Sequence, residues 1–443
     1  MDSTTPTISA VLIVRDEARH LANCLRALRG VVDEIVVADT GSTDDSVAIA
    51  EAAGARVVHF PWCNDFAAAR NAALAAASGA YALAIDADEY LDQPESAREK
   101  LIAHVAAYDR HTVGTITIRS YTAAKTWVHD ETERLFCREA FEYGGAIHEQ
   151  ITPREGVKRS APTGLSVLHH GYAQSPEDPS HKARRNIPIL KRALAAYPND
   201  EYFWFQLGKA RYSIEEYAES VTALQRALAC MQFREDGVVM GRLGPVSRDV
   251  LTDAVVTLAY ALVNTKQIDA ALHLIEEHAA LNHAGVLWAD FPHVQGYVHL
   301  MKGHLDAARA AYNTALAIGP EKEDVLGTGS FASLYHLGLL DEANENIDAA
   351  EACYLEAIAQ RSDYAPALAR LIDLVVEQDR SLPADVWTTV DRETFTAIYQ
   401  DKLESTVRQR GAQSAQGLLK EAQRIAPELV DACRVRLKAM QEV

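Results

Sequence analysis

The sequence divides near residue 190 into two parts with different periodicities. In the first part, short runs rich in β-branched and other apolar residues alternate with amphipathic helical patterns. The apolar runs are residues 8–14, 34–38, 56–60 and 81–85, with later runs at 113–121 and 134–137, and the helical patterns are residues 15–28, 42–53 and 65–77. This alternation is typical of βαβ units, and continuously apolar strands are typical of a sheet covered on both faces. We predict an α/β fold with a mostly parallel sheet and mixed later strands.

The second part, from about residue 185 to residue 439, is rich in Ala and Leu, contains no run that predicts a strand, and repeats. Three glycines are each followed after twelve residues by a small residue, after four more by a bulky one and after three more by an alanine. The series are Gly208, Ser220, Leu224, Ala227; Gly296, Ala308, Tyr312, Ala315; and Gly338, Ala350, Tyr354, Ala357. This spacing is typical of tetratricopeptide repeats, in which small residues let paired helices approach and the bulky residue fills the groove to the next repeat. A degenerate unit lies around Ala259 and Ala271, and a generic helical bundle is the alternative.

Composition and charge exclude several classes of protein. The 62 acidic and 43 basic residues give a formal net charge of −19, which repels nucleic acid and anionic lipid, so we expect neither as a partner. No apolar run reaches the length of about 18 residues that spans a membrane, and the run at 254–263 predicts a buried helix. The N-terminus does not resemble a signal peptide, and six scattered cysteines suit a reduced compartment. We expect a cytoplasmic protein.

Asp86-Ala87-Asp88 follows the fourth apolar run directly. A D-x-D at the carboxyl end of a strand places two carboxylates in the crevice where open α/β sheets bind ligands. Carboxylate oxygens suit Mg²⁺ or Mn²⁺ held together with diphosphate oxygens, and such a metal neutralises a departing diphosphate. Because acidic residues are common in this chain, a solvated turn is the alternative.

A second polar segment, residues 37–44, follows the second apolar run. Gly41 permits a tight turn, and Ser42 followed by Asp45 resembles a capping box that opens a helix. A helix cap explains those residues but not Asp39, which ends the strand. A carboxylate at that place is suited to accept a hydrogen bond from a nucleobase N–H.

With these elements in place, the first part resembles the inverting glycosyltransferases of family 2, which have the GT-A fold that binds nucleotide-diphospho-sugars. The motifs that carry the resemblance are Ile13-Val14-Arg15-Asp16-Glu17, Val37-Ala38-Asp39-Thr40-Gly41-Ser42-Thr43-Asp44, Ala69-Arg70-Asn71 and Asp86-Ala87-Asp88. A further series is similar to the sublancin-type peptide S-glycosyltransferases and related family-2 enzymes with tetratricopeptide repeats. It consists of residues 62–66, Gly145-Ala146-Ile147-His148-Glu149, His169-His170-Gly171-Tyr172 and residues 182–186. The expected domains are a GT-A domain at 1–190, an all-α tetratricopeptide-like region at 191–380 and a helical extension at 381–443.

The resemblance implies a role for each matching residue. Asp39 is expected to recognise uracil, Asp86 to lie near the ribose, and Asp88 to hold the metal or diphosphate. Arg70 is expected to neutralise phosphate as a bidentate donor, with a solvated helix arginine as the alternative. His169 either completes the metal coordination or caps the last strand. The residues expected to line the nucleotide pocket are Val14, Arg15, Glu17 and Ala87.

An inverting transfer needs a base that takes the proton of the acceptor as it attacks the anomeric carbon. By the resemblance, Glu149 is the first candidate, and His148 is the second, as base or as orienting residue. A thiol acceptor needs less help, because an unperturbed thiol of pKa about 8.5 is already partly ionised at neutral pH. Closing a loop is the alternative role of both residues.

We therefore predict a metal-dependent inverting glycosyltransferase that moves a sugar from a UDP-sugar to a peptide or protein side chain, a cysteine thiol first and a serine or threonine hydroxyl next. Stacked helix pairs form concave surfaces suited to holding a peptide, and formation of a homodimer is the other role open to the repeats. One alternative is transfer to a glycolipid or cell-envelope precursor. Another is a peptide-binding scaffold with an inactive transferase domain.

Overall fold

The structure is a computed structural model, and it describes residues 6–121, 127–169, 179–233, 238–242, 244–246, 248–279, 288–323, 325–378, 381–383, 386–410 and 415–441. The chain divides into two compact units, Met1–Ile214 and Glu215–Val443. Residues 170–172, which contribute to the sequence resemblance, lie outside the described residues. None of the helices in the described ranges combines the length and the apolar character that crossing a membrane requires.

The first unit is built on one large sheet flanked by helices. Its strands are β1 (Ile8–Val14), β2 (Glu34–Asp39), β3 (Arg56–His59), β4 (Tyr81–Ala84), β5 (Glu89–Leu91), β6 (Thr112–Tyr121), β7 (Trp127–Cys137), β8 (Phe141–Gly144), β9 (Gln150–Pro153) and β10 (Arg159–His169). Its helices are α1 (Ala18–Leu28), α2 (Ser46–Ala52), α3 (Phe66–Ala76), α4 (Pro94–Ala107), α5 (Pro179–Ala196) and α6 (Glu201–Tyr212). The predicted α/β architecture is confirmed.

The strand order of the large sheet is β3-β2-β1-β4-β7-β6-β10-β5. Strands β1 to β4 are parallel, β7 runs antiparallel to both β4 and β6, and β6 and β10 are parallel. Six strands therefore end at one edge of the sheet, and β8 and β9 form a separate hairpin. Buried residues of α1 and α4 belong to one core cluster and those of α3 to another, so helices cover the sheet on both faces, as its apolar strands predict.

The second unit is dominated by antiparallel helix pairs. Its helices are α7 (Tyr217–Cys230), α8 (Arg248–Asn264), α9 (Ile268–Glu277), α10 (Asp290–Lys302), α11 (Leu305–Ile318), α12 (Phe331–Ala343), α13 (Ile347–Gln360), α14 (Ala365–Gln378), α15 (Val386–Thr389), α16 (Arg392–Arg410), α17 (Ala415–Ile425) and α18 (Pro427–Gln441). Every small and bulky residue of the predicted repeats is fully buried: Ser220, Leu224, Ala227, Ala308, Tyr312, Ala315, Ala350, Tyr354 and Ala357. The predicted repeat pattern is confirmed.

The repeat glycines explain why paired helices lie close together. A Cβ atom added to Gly338 would lie 2.4 Å from Cε1 of Tyr354, and one added to Gly296 would lie 2.8 Å from Cε1 of Tyr312. The Tyr312 ring also stacks on His336 of the next pair, with ring centroids 5.0 Å apart. The bulky residue therefore fills the space within its own pair and toward the next one.

One expectation for the second part is wrong. Three short antiparallel strands, β11 (Gln232–Phe233), β12 (Val239–Gly241) and β13 (Gly244–Pro245), lie between α7 and α8. Glycine and proline both disfavour helix, so the helical pattern breaks where Gly241, Gly244 and Pro245 occur close together. The strands are too short to show the alternation on which sequence-based prediction of strands depends.

We expect Gly338→Ala to lower the free energy of unfolding by about 1–3 kcal/mol, because the added methyl group overlaps the buried Tyr354 ring. Gly417→Ala is the matched control, since a Cβ there meets nothing within 4 Å. Because alanine favours helix more than glycine does, Gly417→Ala should raise the free energy of unfolding by up to about 1 kcal/mol. Urea denaturation measures both, and equal effects at the two positions would contradict the close packing of this repeat.

Candidate active site

Three acidic residues singled out by the sequence lie at the ends of two parallel strands, β2 and β4, at one edge of the sheet. β1 lies between β2 and β4, and Val14 at its end is paired in register with Asp39 at the end of β2. Asp86 and Asp88 lie just beyond β4. Because parallel strands end at the same edge, the structure gathers these carboxylates at the place where α/β sheets bind ligands.

Asp88 is paired with His169. Asp88 precedes β5, which returns antiparallel to β10 so that Glu89 stands opposite His169 at the end of that strand. Oδ2 of Asp88 lies 3.1 Å from Nε2 of His169, and the other ring nitrogen lies 3.1 Å from Oγ of Ser120. Burial opposes the charged ring, but the hydrogen bond to Asp88 and its charge raise the pKa of His169 above its usual value. The structure thus brings together both residues proposed from the sequence as metal ligands.

The chemistry of this pair fits Mg²⁺ or Mn²⁺. A carboxylate oxygen and an imidazole nitrogen about 3 Å apart are spaced like neighbouring ligands of one ion with bonds near 2.1 Å. Within the described ranges, no group of three or more His, Cys, Asp or Glu residues converges to hold a metal. Such a site suits ions that take one or two protein ligands and fill the remaining positions with water and phosphate oxygens.

Asp86 is held between two arginines. Its Oδ1 accepts a hydrogen bond from Nη2 of Arg70 at 3.0 Å, and its Oδ2 accepts one from Nη2 of Arg134 at 3.0 Å. Burial disfavours its charge, but the charges and hydrogen bonds of Arg134 and Arg70 outweigh burial and hold the pKa of Asp86 well below its usual range. Asp86 is therefore an ionised carboxylate with a fixed orientation.

Glu89 lies beneath Asp86 and is buried. Its Oε2 accepts the backbone N–H of Asp86 at 2.9 Å, and its Oε1 accepts from Nη2 of Arg134 at 2.7 Å. Burial raises the pKa of Glu89 to about 7, Arg134 opposes this, and the negative charge of Asp86 adds to it. The folded protein therefore binds a proton at Glu89 more tightly than the unfolded chain does.

The pKa of Glu89 predicts a pH effect on stability. The stabilisation from its tighter proton binding is fully present below the reference value of 4.5 and is lost as pH rises through about 7. The free energy of unfolding of the wild type relative to Glu89→Gln should fall between pH 5 and pH 7.5, by up to about 3 kcal/mol. Urea denaturation at both pH values measures it. Glu142→Gln, at an exposed ion pair with Arg154, is the control, and a difference that rises with pH would contradict the assignment.

Asp39 is almost fully buried at the end of β2. Its carboxylate accepts the backbone N–H groups of Ser42 at 3.1 Å and Gly41 at 3.3 Å, and it lies 3.5 Å from Nδ1 of His59. Burial opposes its charge, but the hydrogen bonds from Ser42 lead the groups that lower the pKa of Asp39. It is an ionised acceptor at the strand end, where the sequence predicts a contact with a nucleobase.

The predicted capping box at the start of α2 is wrong. Oγ of Ser42 instead accepts the backbone N–H of Asp16 at 3.0 Å, and Oδ1 of Asp16 accepts that of Thr43 at 2.6 Å. Asp44 rather than Asp45 accepts the N–H of Ser46 at 3.0 Å. The polar residues of this segment connect the loop after β2 to the loop after β1, a contact that local helix-capping rules do not anticipate.

The other pocket residues predicted from the sequence surround the same edge. Val14 is buried at the end of β1 and Ala87 is buried in the turn between β4 and β5, while the side chain of Arg15 is 55% exposed. Glu17 precedes α1, and its backbone N–H donates to Oγ of Ser46 at 2.8 Å.

Glu149 and His148 lie in the loop that joins β8 to β9. The backbone N–H of Phe66 donates to the carbonyl of Ala146 at 2.8 Å, which ties this loop to the start of α3. His148 has a φ of +52° and its ring packs edge-on against Tyr202 of α6, and burial lowers its pKa. Glu149 accepts a hydrogen bond from Nε of Arg70 at 2.6 Å. The loop thus presents Glu149 to the same arginine that binds Asp86.

Sequence reasoning assigned no role in this site to four of its residues. Arg134 and Glu89 hold Asp86, Tyr143 lies under the Arg70 guanidinium, and Asn71 fixes the backbone of Tyr143 through its N–H and its carbonyl. Arg134 could have been noticed in the sequence as the charged first residue of the apolar run 134–137. Glu89 directly follows the D-x-D, and Asn71 directly follows Arg70.

The chain is similar to several known proteins. The family model for glycosyl transferase family 2 matches residues 9–173. A TPR repeat-containing protein of Synechococcus elongatus is 30% identical over 342 residues, which are 71% of this chain and 76% of that protein. The SPbeta prophage-derived glycosyltransferase SunS of Bacillus subtilis is 26% identical over 231 residues, 51% of this chain and 54% of SunS. Among solved structures, glucosyl-3-phosphoglycerate synthase from Mycobacterium tuberculosis is 29% identical over 26% of this chain and 44% of that chain, with a TM-score of 0.23.

Proposed function

The chain belongs to glycosyltransferase family 2, and we propose that it moves a sugar from a UDP-sugar to a peptide or protein side chain with a divalent cation bound. The observation that carries this proposal is the gathering of Asp39, Asp86 and Asp88 at the carboxyl ends of β2 and β4, the parallel strands on either side of β1. Two of these carboxylates have a lowered pKa, and the third is paired with a histidine. Such an arrangement suits a ligand that carries a nucleobase, a ribose and a diphosphate in that order.

Each carboxylate has a distinct role in the proposed donor site. Asp39 accepts the N–H of uracil, and Asp86 accepts a ribose hydroxyl, in a pocket that Val14, Arg15, Glu17 and Ala87 complete. Asp88 and His169 would hold Mg²⁺ or Mn²⁺, since their two donor atoms are spaced for one ion. When bound, the ion offsets the negative charge that develops on the departing diphosphate.

Glu149 is the proposed base. It takes the proton of the acceptor while the acceptor sulfur or oxygen forms a bond to the anomeric carbon. The bond from that carbon to the diphosphate oxygen breaks, and UDP leaves with the electron pair. His148 is buried against Tyr202 with a lowered pKa, which favours a neutral ring that orients the loop. It remains the second candidate for the base.

The helical repeats of the second unit are the proposed receptor for the acceptor peptide. Stacked helix pairs present an extended surface on which a peptide can lie, and the structure contains such pairs in α8 to α13. A cysteine thiol is the proposed first acceptor group and a serine or threonine hydroxyl the second.

To test the proposed acceptor, we would incubate the protein with UDP-sugars and matched cysteine and serine peptides and follow the mass of each peptide. Sugar appearing in lipid extracts instead would favour the glycolipid alternative.

Titration calorimetry with nucleotides tests the donor site directly. We expect UDP to bind in the presence of Mn²⁺ or Mg²⁺ and to bind at least tenfold more weakly after the metal is chelated. CDP should bind about 10–100-fold more weakly than UDP, because cytosine places an unprotonated ring nitrogen where uracil places an N–H, so the Asp39 carboxylate would face an acceptor instead of a donor. Adenosine diphosphate is the control for binding through the diphosphate alone. Equal binding of all three nucleotides, or binding of none, would refute the proposed donor site.

A further inference from the structure

Five ionisable side chains, alternately acidic and basic, form a connected series that passes through the donor-side carboxylate Asp86 and ends at the proposed base. In order they are Glu89, Arg134, Asp86, Arg70 and Glu149, and we call them the ion chain. The distances along it are 2.7, 3.0, 3.0 and 2.6 Å. Four of its members have side chains at most 13% exposed, and only Asp86, at 33%, is more open. Ion pairs this buried depend on every partner staying in place.

Arg70 is the member that joins Asp86 to Glu149. Its Nε donates to Glu149 and its Nη2 donates to Asp86, so two donors of one rigid guanidinium face two carboxylates. The Tyr143 ring lies 5.5 Å from the central carbon of the guanidinium. The side-chain amide of Asn71 donates to the Tyr143 carbonyl and accepts from the Tyr143 backbone N–H, which holds Tyr143 in place. The guanidinium is thereby fixed in position as well as charge-balanced.

We propose that Arg70 is a positioning residue that orients Glu149 relative to Asp86, and not a ligand of the donor diphosphate. This inference rests on the proposed function, because it concerns the base assigned there. It replaces the role that the sequence resemblance gave to Arg70. Moving this guanidinium to the diphosphate would break its ion pair with the buried Glu149 and would leave Asp86 with only one of its two arginine partners, which is unfavourable.

Arg134 provides the internal comparison. It binds the other oxygen of Asp86 and binds Glu89, but no described contact joins it to Glu149. Both arginines therefore orient the donor-side carboxylate, while Arg70 alone also orients the base. Displacement of a reacting group by about 1 Å can lower turnover by about 10²-fold, so this difference is measurable.

The test compares Arg70→Lys, Glu149→Gln and the double variant with the wild type. The lysine keeps the charge but cannot reproduce the fork that spans two carboxylates. The matched control is Arg98→Lys, because Arg98 pairs with Asp33 before β2, at the opposite edge of the sheet. The readouts are the dissociation constant of UDP with Mn²⁺, and the kcat and KM for UDP release from UDP-glucose, UDP-galactose or UDP-N-acetylglucosamine. Thermal unfolding verifies the fold of each variant.

We expect Arg70→Lys to lower kcat by about 10–100-fold while changing the UDP dissociation constant and the donor KM less than about threefold. In the Glu149→Gln background the same change should cost less than about threefold in kcat, because a residue that acts through Glu149 has nothing left to orient. Arg98→Lys should match the wild type. Weaker UDP binding by tenfold or more with kcat retained, or losses that multiply in the double variant, would overturn the proposal.

If Arg70→Lys does not fold, Glu149→Asp tests the same contact from the other side. The shorter side chain withdraws the carboxylate from Arg70 by one methylene, so kcat should fall while the UDP affinity stays unchanged. A wild-type kcat would overturn the proposal.

Failure of the proposed function gives a different set of results. A wild type that binds no UDP, or a Glu149→Gln variant with normal turnover, rejects the donor site or the base and the positioning role with it. If the wild type is active and the losses in kcat of Arg70→Lys and Glu149→Gln multiply in the double variant, only the positioning role is rejected.

Discussion

Asp88→Ala is expected to lower transfer from the UDP-sugar by about 10³-fold or more. Asp88 provides the carboxylate oxygen that lies 3.1 Å from Nε2 of His169, and these are the two protein atoms proposed to bind the metal ion. A metal that stabilises the leaving diphosphate stabilises the transition state by several kcal/mol. Loss of this metal raises the barrier by that amount, which lowers the rate by about three powers of ten. UDP release and product formation should fall together.

The Asp88→Ala experiment needs a control for a lost acidic residue. Asp109→Ala removes a carboxylate from an exposed ion pair with Arg159, and this variant should keep wild-type turnover. The circular dichroism spectrum and the melting temperature of Asp88→Ala should stay close to those of the wild type, because its side chain is partly exposed at the sheet edge. A folded Asp88→Ala variant with wild-type turnover would show that Asp88 holds neither metal nor diphosphate.

Glu149→Gln is expected to lower turnover by about 10²–10⁴-fold, the usual contribution of a general base. Glutamine keeps the size of the side chain and can still accept a hydrogen bond from Arg70, but it cannot take a proton from the acceptor. UDP affinity should therefore change little. The loss should be larger for a serine peptide than for the matching cysteine peptide, because a thiol ionises far more readily than a hydroxyl.

Glu142→Gln is the matched control, since Glu142 lies on β8 of the same hairpin and forms an exposed ion pair with Arg154. Its turnover should equal that of the wild type. A Glu149→Gln variant that transfers sugar at the wild-type rate would remove Glu149 as the base and make His148 the residue to substitute next. A loss of UDP binding in Glu149→Gln would instead indicate that this residue supports the donor site.

Much of the fold was predictable because it depends on local periodicity. The runs at 8–14, 34–38, 56–60 and 81–85 are strands in the structure with ends shifted by at most one residue. The Gly338 series predicted a close helix pair, and steric arguments about glycine and tyrosine need only the spacing along two helices. The three short strands β11, β12 and β13 were not predicted, because each is too short to show the two-residue alternation of a strand.

The site was predictable only in part. The sequence alone placed Asp39, Asp86 and Asp88 at strand ends, and it selected His169 and Glu149 by resemblance. The contacts that give these residues their chemistry join positions far apart in the chain. Glu149 meets Arg70 across 79 residues, Arg134 meets Asp86 across 48, and His169 meets Asp88 across 81.

The sequence by itself determined which segments are strands and helices, which residues end the strands, and where paired helices come close. Only the tertiary structure decided that β7 inserts beside β4 and brings Arg134 to Asp86, and that β5 returns beside β10 and brings Asp88 to His169. The physical reason is that periodicity reports which face of a segment is buried. The order of strands, and therefore the partner of each polar side chain at their ends, follows from the packing of the whole core.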